Sequence, residues 1–267
     1  MAFYGCDFKF NGFSCSDMGL TVYDFGGTGQ DDESSFTAQG EIVSDSVPGK
    51  DSIFLYGVEQ NEQLSPHIVF GVGQPRLNQN VWLTRREIEK VAEWLTGDGK
   101  WHWLTFDQED MYPYRYRCVL SELTLLHSGM YPYAFEATFT ADSSYAYSYP
   151  MNFTWVAGEN IFNNRSTNMK YYRPTLTISL SSGGGDFEIR NDSDGGRVFA
   201  FKDLPASVKN IKIDNENQII TNLDNDVNLY EYFNYNFFRA TKGKNSIFII
   251  GDGTVRADCV FPVNIGV

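Results

Sequence analysis

Two β domains in series, with a single α-helix inserted in the first, are what this sequence predicts. Three observations carry the prediction. The 267 residues hold 16 Tyr and 21 Phe, and aromatic side chains favour pleated sheet over helix. Short alternating runs recur at spacings of roughly 8–15 residues with polar turns between them, the pattern of antiparallel sheets. Only one stretch, Thr84 to Leu95, has helical periodicity. With 21% charged residues and 42% hydrophobic ones, the chain is able to bury two ordinary cores and is not a disordered polymer.

The elements follow in order. Phe8-Lys9-Phe10 alternates and meets Asn11-Gly12, a tight-hairpin dipeptide. Phe13 to Val22 continues as strand, broken near Met18-Gly19. Asp24 to Gln39, with Gly26-Gly27, Asp31-Asp32-Glu33 and few apolar anchors, is expected to be an exposed, partly mobile loop. Glu41 to Val47 reads as strand, Pro48 to Asp51 as turn, and Ile53–Tyr56 and His67–Val72 as strands. The helix comes next, over 84–96. Thr84 stands three residues before Glu87, a capping-box spacing. Ile88, Val91, Ala92 and Leu95 share one face. Gly97 and Gly99 end it.

After the helix, Trp101–Phe106, Tyr114–Leu120 and Tyr133–Ala141 read as strands, with an acidic turn from Asp107 to Tyr112. The serine-rich stretch Asp142 to Pro150 reads as a boundary between domains 1–145 and 151–267. A polar stretch, Gly158 to Asn168, opens the second half. Strands are then expected at 173–180, 187–190, 197–201, 208–213, 218–221, 245–251 and 255–263, with Gly183-Gly184-Gly185 as a hairpin turn and Asp214–Asn217 as another.

Net charge is uneven. Residues 1–150 carry 9 Lys+Arg against 21 Asp+Glu, a net of −12; residues 151–267 carry 12 against 13, a net of −1. An acidic front half repels phosphates and disfavours tight nucleic-acid binding. The four cysteines (Cys6, Cys15, Cys118, Cys259) have no C-x-x-C spacing, and the three His are scattered. That disfavours a zinc site and a disulfide framework, and free thiols are expected, with Cys6–Cys15 the pair to check. The opening residues lack the basic and apolar regions of a signal peptide. No run reaches the ~18 apolar residues of a membrane helix.

Chemistry-bearing constellations are sparse. Asp107, Glu109 and Asp110 beside the aromatic 101–106 strand would suit a sugar-cleaving cleft, but a solvated acidic turn explains the same residues with fewer assumptions and is favoured. Asp31-Asp32-Glu33 and Asp192-Ser193-Asp194-Gly195 are fragments of a calcium loop without its full pattern. Trp101, Trp103, Trp155 and the Tyr145-Tyr147-Tyr149 ladder could stack on sugars or pack cores and interfaces; for the ladder, packing between domains is favoured. No P-loop or nucleophile elbow occurs. No catalytic residue, cofactor or metal is expected.

Taken together, several ordered segments resemble the distal tail proteins of long-tailed bacteriophages. They are Phe8-Lys9-Phe10-Asn11-Gly12-Phe13-Ser14 with Asp17-Met18-Gly19-Leu20; Val47-Pro48-Gly49-Lys50-Asp51, where Ser52 replaces a usual glycine; the capped helix ending in Trp94-Leu95 with the strands after it; and Ile211-Lys212-Ile213-Asp214 with Gly243-Lys244-Asn245-Ser246-Ile247, which lacks the usual preceding proline. The resemblance implies an N-terminal split β-barrel with one inserted helix and a C-terminal galectin-like β-sandwich.

It further implies a hexameric ring, single or stacked, in the virion tail tip, assembled in the bacterial host cytoplasm. The ring would join the tail tube protein to tail-tip and receptor-binding proteins and pass DNA through its channel, with no membrane contact. Arg85, Arg86, Asp31, Asp32 and Glu33 are the expected assembly contacts. Two other classes remain: a carbohydrate-binding module on the host surface, and a glycan hydrolase using Asp107 or Glu109.

Overall fold

The computed structural model describes residues 7–24, 41–46, 51–59, 63–72, 82–109, 111–167 and 171–264. It divides into two compact units, Met1–Tyr147 with Asn264–Val267, and Ser148–Val263. The described chain is mainly strand, with one α-helix.

The first unit opens with β1 (Phe8–Phe10) and β2 (Phe13–Ser14). Asn11 and Gly12 take φ of 50° and 84° between them. A two-residue hairpin turn needs positive φ at both central positions, which is why Asn-Gly stands there. The expected strand through Val22 is interrupted by a 3-10 turn at Ser16–Met18. The Asp17 carboxylate accepts the Ser14 N–H, and Gly19 closes the turn at φ 74°, a local solution that competes with strand. Then come β3 (Thr21–Asp24), β4 (Glu41–Asp45), β5 (Phe54–Glu59) and β6 (His67–Gly71). The Asp31–Glu33 run, most of the 48–51 turn and Cys6 lie outside the described residues. Helix α1 (Arg85–Thr96), β7 (His102–Phe106), β8 (Tyr114–Ser128) and β9 (Tyr131–Ala141) complete the unit.

Seven of these strands form an antiparallel ladder in the order β2-β1-β7-β8-β9-β6-β3, open at both ends among the described strands. Strand β8 runs eight residues beyond the expected end at Leu120, across an irregularity between Leu120 and Glu122. Against the sheet, α1 buries Val91, Trp94 and Leu95. The Trp94 ring stacks on Phe8 at 5.4 Å, and its indole N–H donates to the Phe10 carbonyl at 2.8 Å. Phe8, Phe10, Phe70, Phe135 and Phe139 share this core. Each such side chain contributes about 2 kcal/mol by leaving water.

Strand β10 (Ala146–Ser148) lies at the unit boundary. The second unit contains β11 (Met151–Trp155), β12 (Gly158–Asn164), β13 (Tyr171–Tyr172), β14 (Thr175–Leu180), β15 (Gly185–Asn191), β16 (Arg197–Leu204), β17 (Asn210–Asp214), β18 (Ile219–Asn222), β19 (Ala240–Thr241), β20 (Gly243–Ile250), β21 (Gly253–Cys259) and β22 (Pro262–Val263). Two antiparallel sheets, β11-β21-β14-β17-β18 and β12-β20-β15-β16, enclose one core. Leu176, Ile178 and Ile211 from the first meet Phe187, Ile189, Phe201 and Ile249 from the second. This is a β-sandwich.

Two local expectations need correction. The polar opening of the second half contains the regular strand β12, in continuous register with β20. The three glycines at 183–185 do not turn a hairpin. They carry the chain from β14 in one sheet to β15 in the other. A Cβ on Gly184 would lie 2.6 Å from the Leu204 carbonyl oxygen, so the close backbone approach requires glycine there.

Candidate assembly surface

The cap of α1 fixes the first candidate contacts. Glu87 accepts from the Thr84 N–H at 2.7 Å and its hydroxyl at 2.6 Å, while Thr84 Oγ1 receives the Glu87 N–H at 3.4 Å. These hydrogen bonds from Thr84 hold the Glu87 carboxyl below its ordinary range. The rigid first turn projects Arg85 and Arg86 into solvent. Arg85 reaches Glu89 at 3.1 Å, with its side chain 89% exposed. An exposed i,i+4 pair of this kind contributes only a few tenths of a kcal/mol. Arg86 makes no ion pair among the described residues.

The segment before the helix adds an apolar element. Trp82 stacks on Tyr131 with centroids 4.8 Å apart. The Leu83 N–H donates to the Pro132 carbonyl at 2.7 Å, tying the helix start to the β8–β9 hairpin. At the hairpin tip Met130 is 87% exposed. Trp82 and Tyr131 are thus an exposed aromatic pair next to Met130, with Arg85 and Arg86 three and four residues after Trp82 in the chain. Sequence periodicity identifies the two arginines. It misses the aromatic pair, because Trp82 and Tyr131 meet only once the hairpin forms.

A second apolar surface lies on the β4–β5 ribbon. These strands pair with each other and, among the described residues, form a sheet of their own. Ile42, Ile53, Leu55 and Tyr56 are all exposed, Leu55 at 64% and Tyr56 at 71%. A two-stranded ribbon is marginal in water without a third strand or a packed face.

Among the described residues, the remaining candidates do not assemble into a reactive site. Asp107 and Glu109 are exposed on the turn after β7, and Asp110 is outside the described residues. The Arg115 guanidinium lies 3.6 Å over Trp103, and Tyr147 packs edge-on against the same indole. Tyr147 also donates to Asp142 at 3.0 Å and packs on Tyr145. Trp155, a candidate sugar platform by sequence, is 2% exposed in the sandwich core. The Asp192–Asp194 segment is a 3-10 turn whose carboxylates are committed to arginines: Asp192 to Arg190 at 2.7 Å, and Asp194 to Arg239 at 2.7 and 3.1 Å. No group of three or more metal-ligating side chains occurs among the described residues. Cys15, Cys118 and Cys259 are unpaired and buried. Burial raises all three thiols, Cys259 to about 12, which keeps them protonated and unreactive.

A β-sandwich joined to an open sheet with one helix, with exposed apolar and charged side chains on the first unit, is the architecture of the described residues. The chain belongs to a family of phage tail proteins: residues 3–143 match the model of a phage tail protein N-terminal domain, and 144–259 match a phage tail C-terminal domain. It is therefore a virion component. Its fold is that of the Dit protein of phage SPP1, described as a paradigm of the hub adsorption apparatus in phages infecting Gram-positive bacteria. The TM-score is 0.67 at 12% identity, over 96% of this chain and 98% of that one. Chains of the phage P2 baseplate in its activated conformation with Ca match with a TM-score of 0.50 at 10% identity, over 94% of this chain and 97% of that one. The same baseplate with Sr matches equally, over 95% and 97%. No curated protein matches the sequence.

Proposed function

We propose that this chain is a distal tail protein that forms a hexameric ring, alone or stacked, between the tail tube and the tail tip. Residues 1–145 build the ring as a split β-barrel, with Arg85, Arg86 and the Asp31-Asp32-Glu33 run among its contacts. Residues 151–267 form a galectin-like platform for tail-tip and receptor-binding proteins. The observation that carries this reading is the end-to-end likeness in fold to the SPP1 hub protein. Charge agrees with it. A ring built from the half with net charge −12 lines its channel with negative potential, so DNA passes without adhering. Assembly takes place in the host cytoplasm, and the chain contributes no catalytic step.

Mass by light scattering, with negative-stain images of the same peak, tests the ring. Six-fold particles are expected. A chain that remains monomeric at its highest soluble concentration, and instead binds glycans in a calorimetric screen, would replace the ring with a carbohydrate-binding module.

A further inference from the structure

The ribbon and the helix-margin surface complement each other. The ribbon is apolar at Ile42, Ile53, Leu55 and Tyr56 and carries exposed Asp45 and Asp51, with no Lys or Arg in residues 41–46 or 51–59. The other surface is apolar at Trp82, Met130 and Tyr131 and is flanked by exposed Arg85 and Arg86. Both belong to the same unit, yet their exposure shows that neither covers the other within one chain. Copies of a unit with net charge −12 repel one another, so association requires a local contact of opposite sign.

We propose that the β4–β5 ribbon of one copy docks on the Trp82–Tyr131 and Arg85–Arg86 surface of the next copy. This deepens the ring reading above and rests on it. The partner is a second copy of this chain. The contact is head-to-tail, because the two surfaces are different, and a head-to-tail contact generates a ring when its rotation closes. The aromatic pair supplies the buried anchor, and the arginines set register against Asp51.

The test uses the full chain and native mass spectrometry. The ribbon variant is Ile42→Ser with Leu55→Ser. The surface variant is Trp82→Ala with Arg85→Glu and Arg86→Glu. All these side chains are exposed, and circular dichroism checks that each variant keeps the wild-type spectrum and a cooperative melt. Each variant alone should lose the ring, its assembly midpoint rising roughly 30-fold or more. Mixed one to one, they should form a heterodimer and nothing larger, since each brings one intact surface. A charge-swapped chain, Asp51→Arg with Arg85→Glu and Arg86→Glu, should recover assembly that either half of the swap abolishes. Rings that persist in both variants would overturn this interface and leave the hub reading standing. A wild-type chain that never assembles would overturn both.

Discussion

Asn245 shows how a single residue sets a local fold. Its side chain is fully buried. Its Oδ1 accepts from the Thr241 N–H at 2.8 Å, the Thr241 hydroxyl at 3.0 Å and Asn191 Nδ2 at 3.1 Å. Its amide donates to the carbonyls of Thr241 and Gly243 at 2.8 and 2.9 Å. Asn245→Leu would strand several buried groups, so a loss on the order of 3 kcal/mol is expected in urea unfolding of the second unit. The sequence pattern Gly243 to Ile247 marks the position but not its cause, because Asn191 lies 54 residues away. Trp94 is similar. Helical spacing assigns Ile88, Val91, Ala92 and Leu95 to the inner face. The indole's partner, Phe10, lies 84 residues off, beyond the reach of any periodicity.

At the scale of elements, the helix is the best-read feature, because its signals are local: cap, apolar face and terminal glycine all lie within 14 residues of sequence. Thr84→Ala should cost about 1 kcal/mol in the first unit. The Glu87 carboxyl is held below its ordinary value of 4.5, chiefly by the Thr84 hydrogen bonds. A lowered carboxylate contributes stability above its unfolded value and loses it as pH falls through the folded one. The melting-temperature difference between wild type and Glu87→Gln should therefore be present at pH 7 and shrink below 4.5. A difference independent of pH would contradict this.

Strands are read less evenly. β12 was hidden by the composition of Gly-Glu-Asn-Ile-Phe-Asn-Asn, in which only Phe162 and Asn164 turn fully inward. The candidate surface was half legible. Arg85 and Arg86 follow from helix geometry, whereas Trp82, Met130 and Tyr131 converge only through the β8–β9 hairpin.

For the whole molecule, the decisive fact is that the two hydrophobic cores share no residue. The fragment 148–263 is therefore expected to unfold cooperatively by itself in a thermal melt, and a fragment lacking a sigmoidal transition would show that its stability depends on the rest of the chain. The uneven charge has its meaning at this scale as well. It is readable from composition alone, while its consequence depends on how many copies gather.

The ladder between β11 and β21 carries one more implication. Met151, where the sandwich begins, sits opposite Cys259, near where it ends, so the polypeptide enters and leaves that unit through neighbouring strands at one corner. A module whose two ends meet can be exchanged as a cassette without re-routing the chain around it. Evolution thus has a simple means of replacing the second unit while leaving the first unaltered.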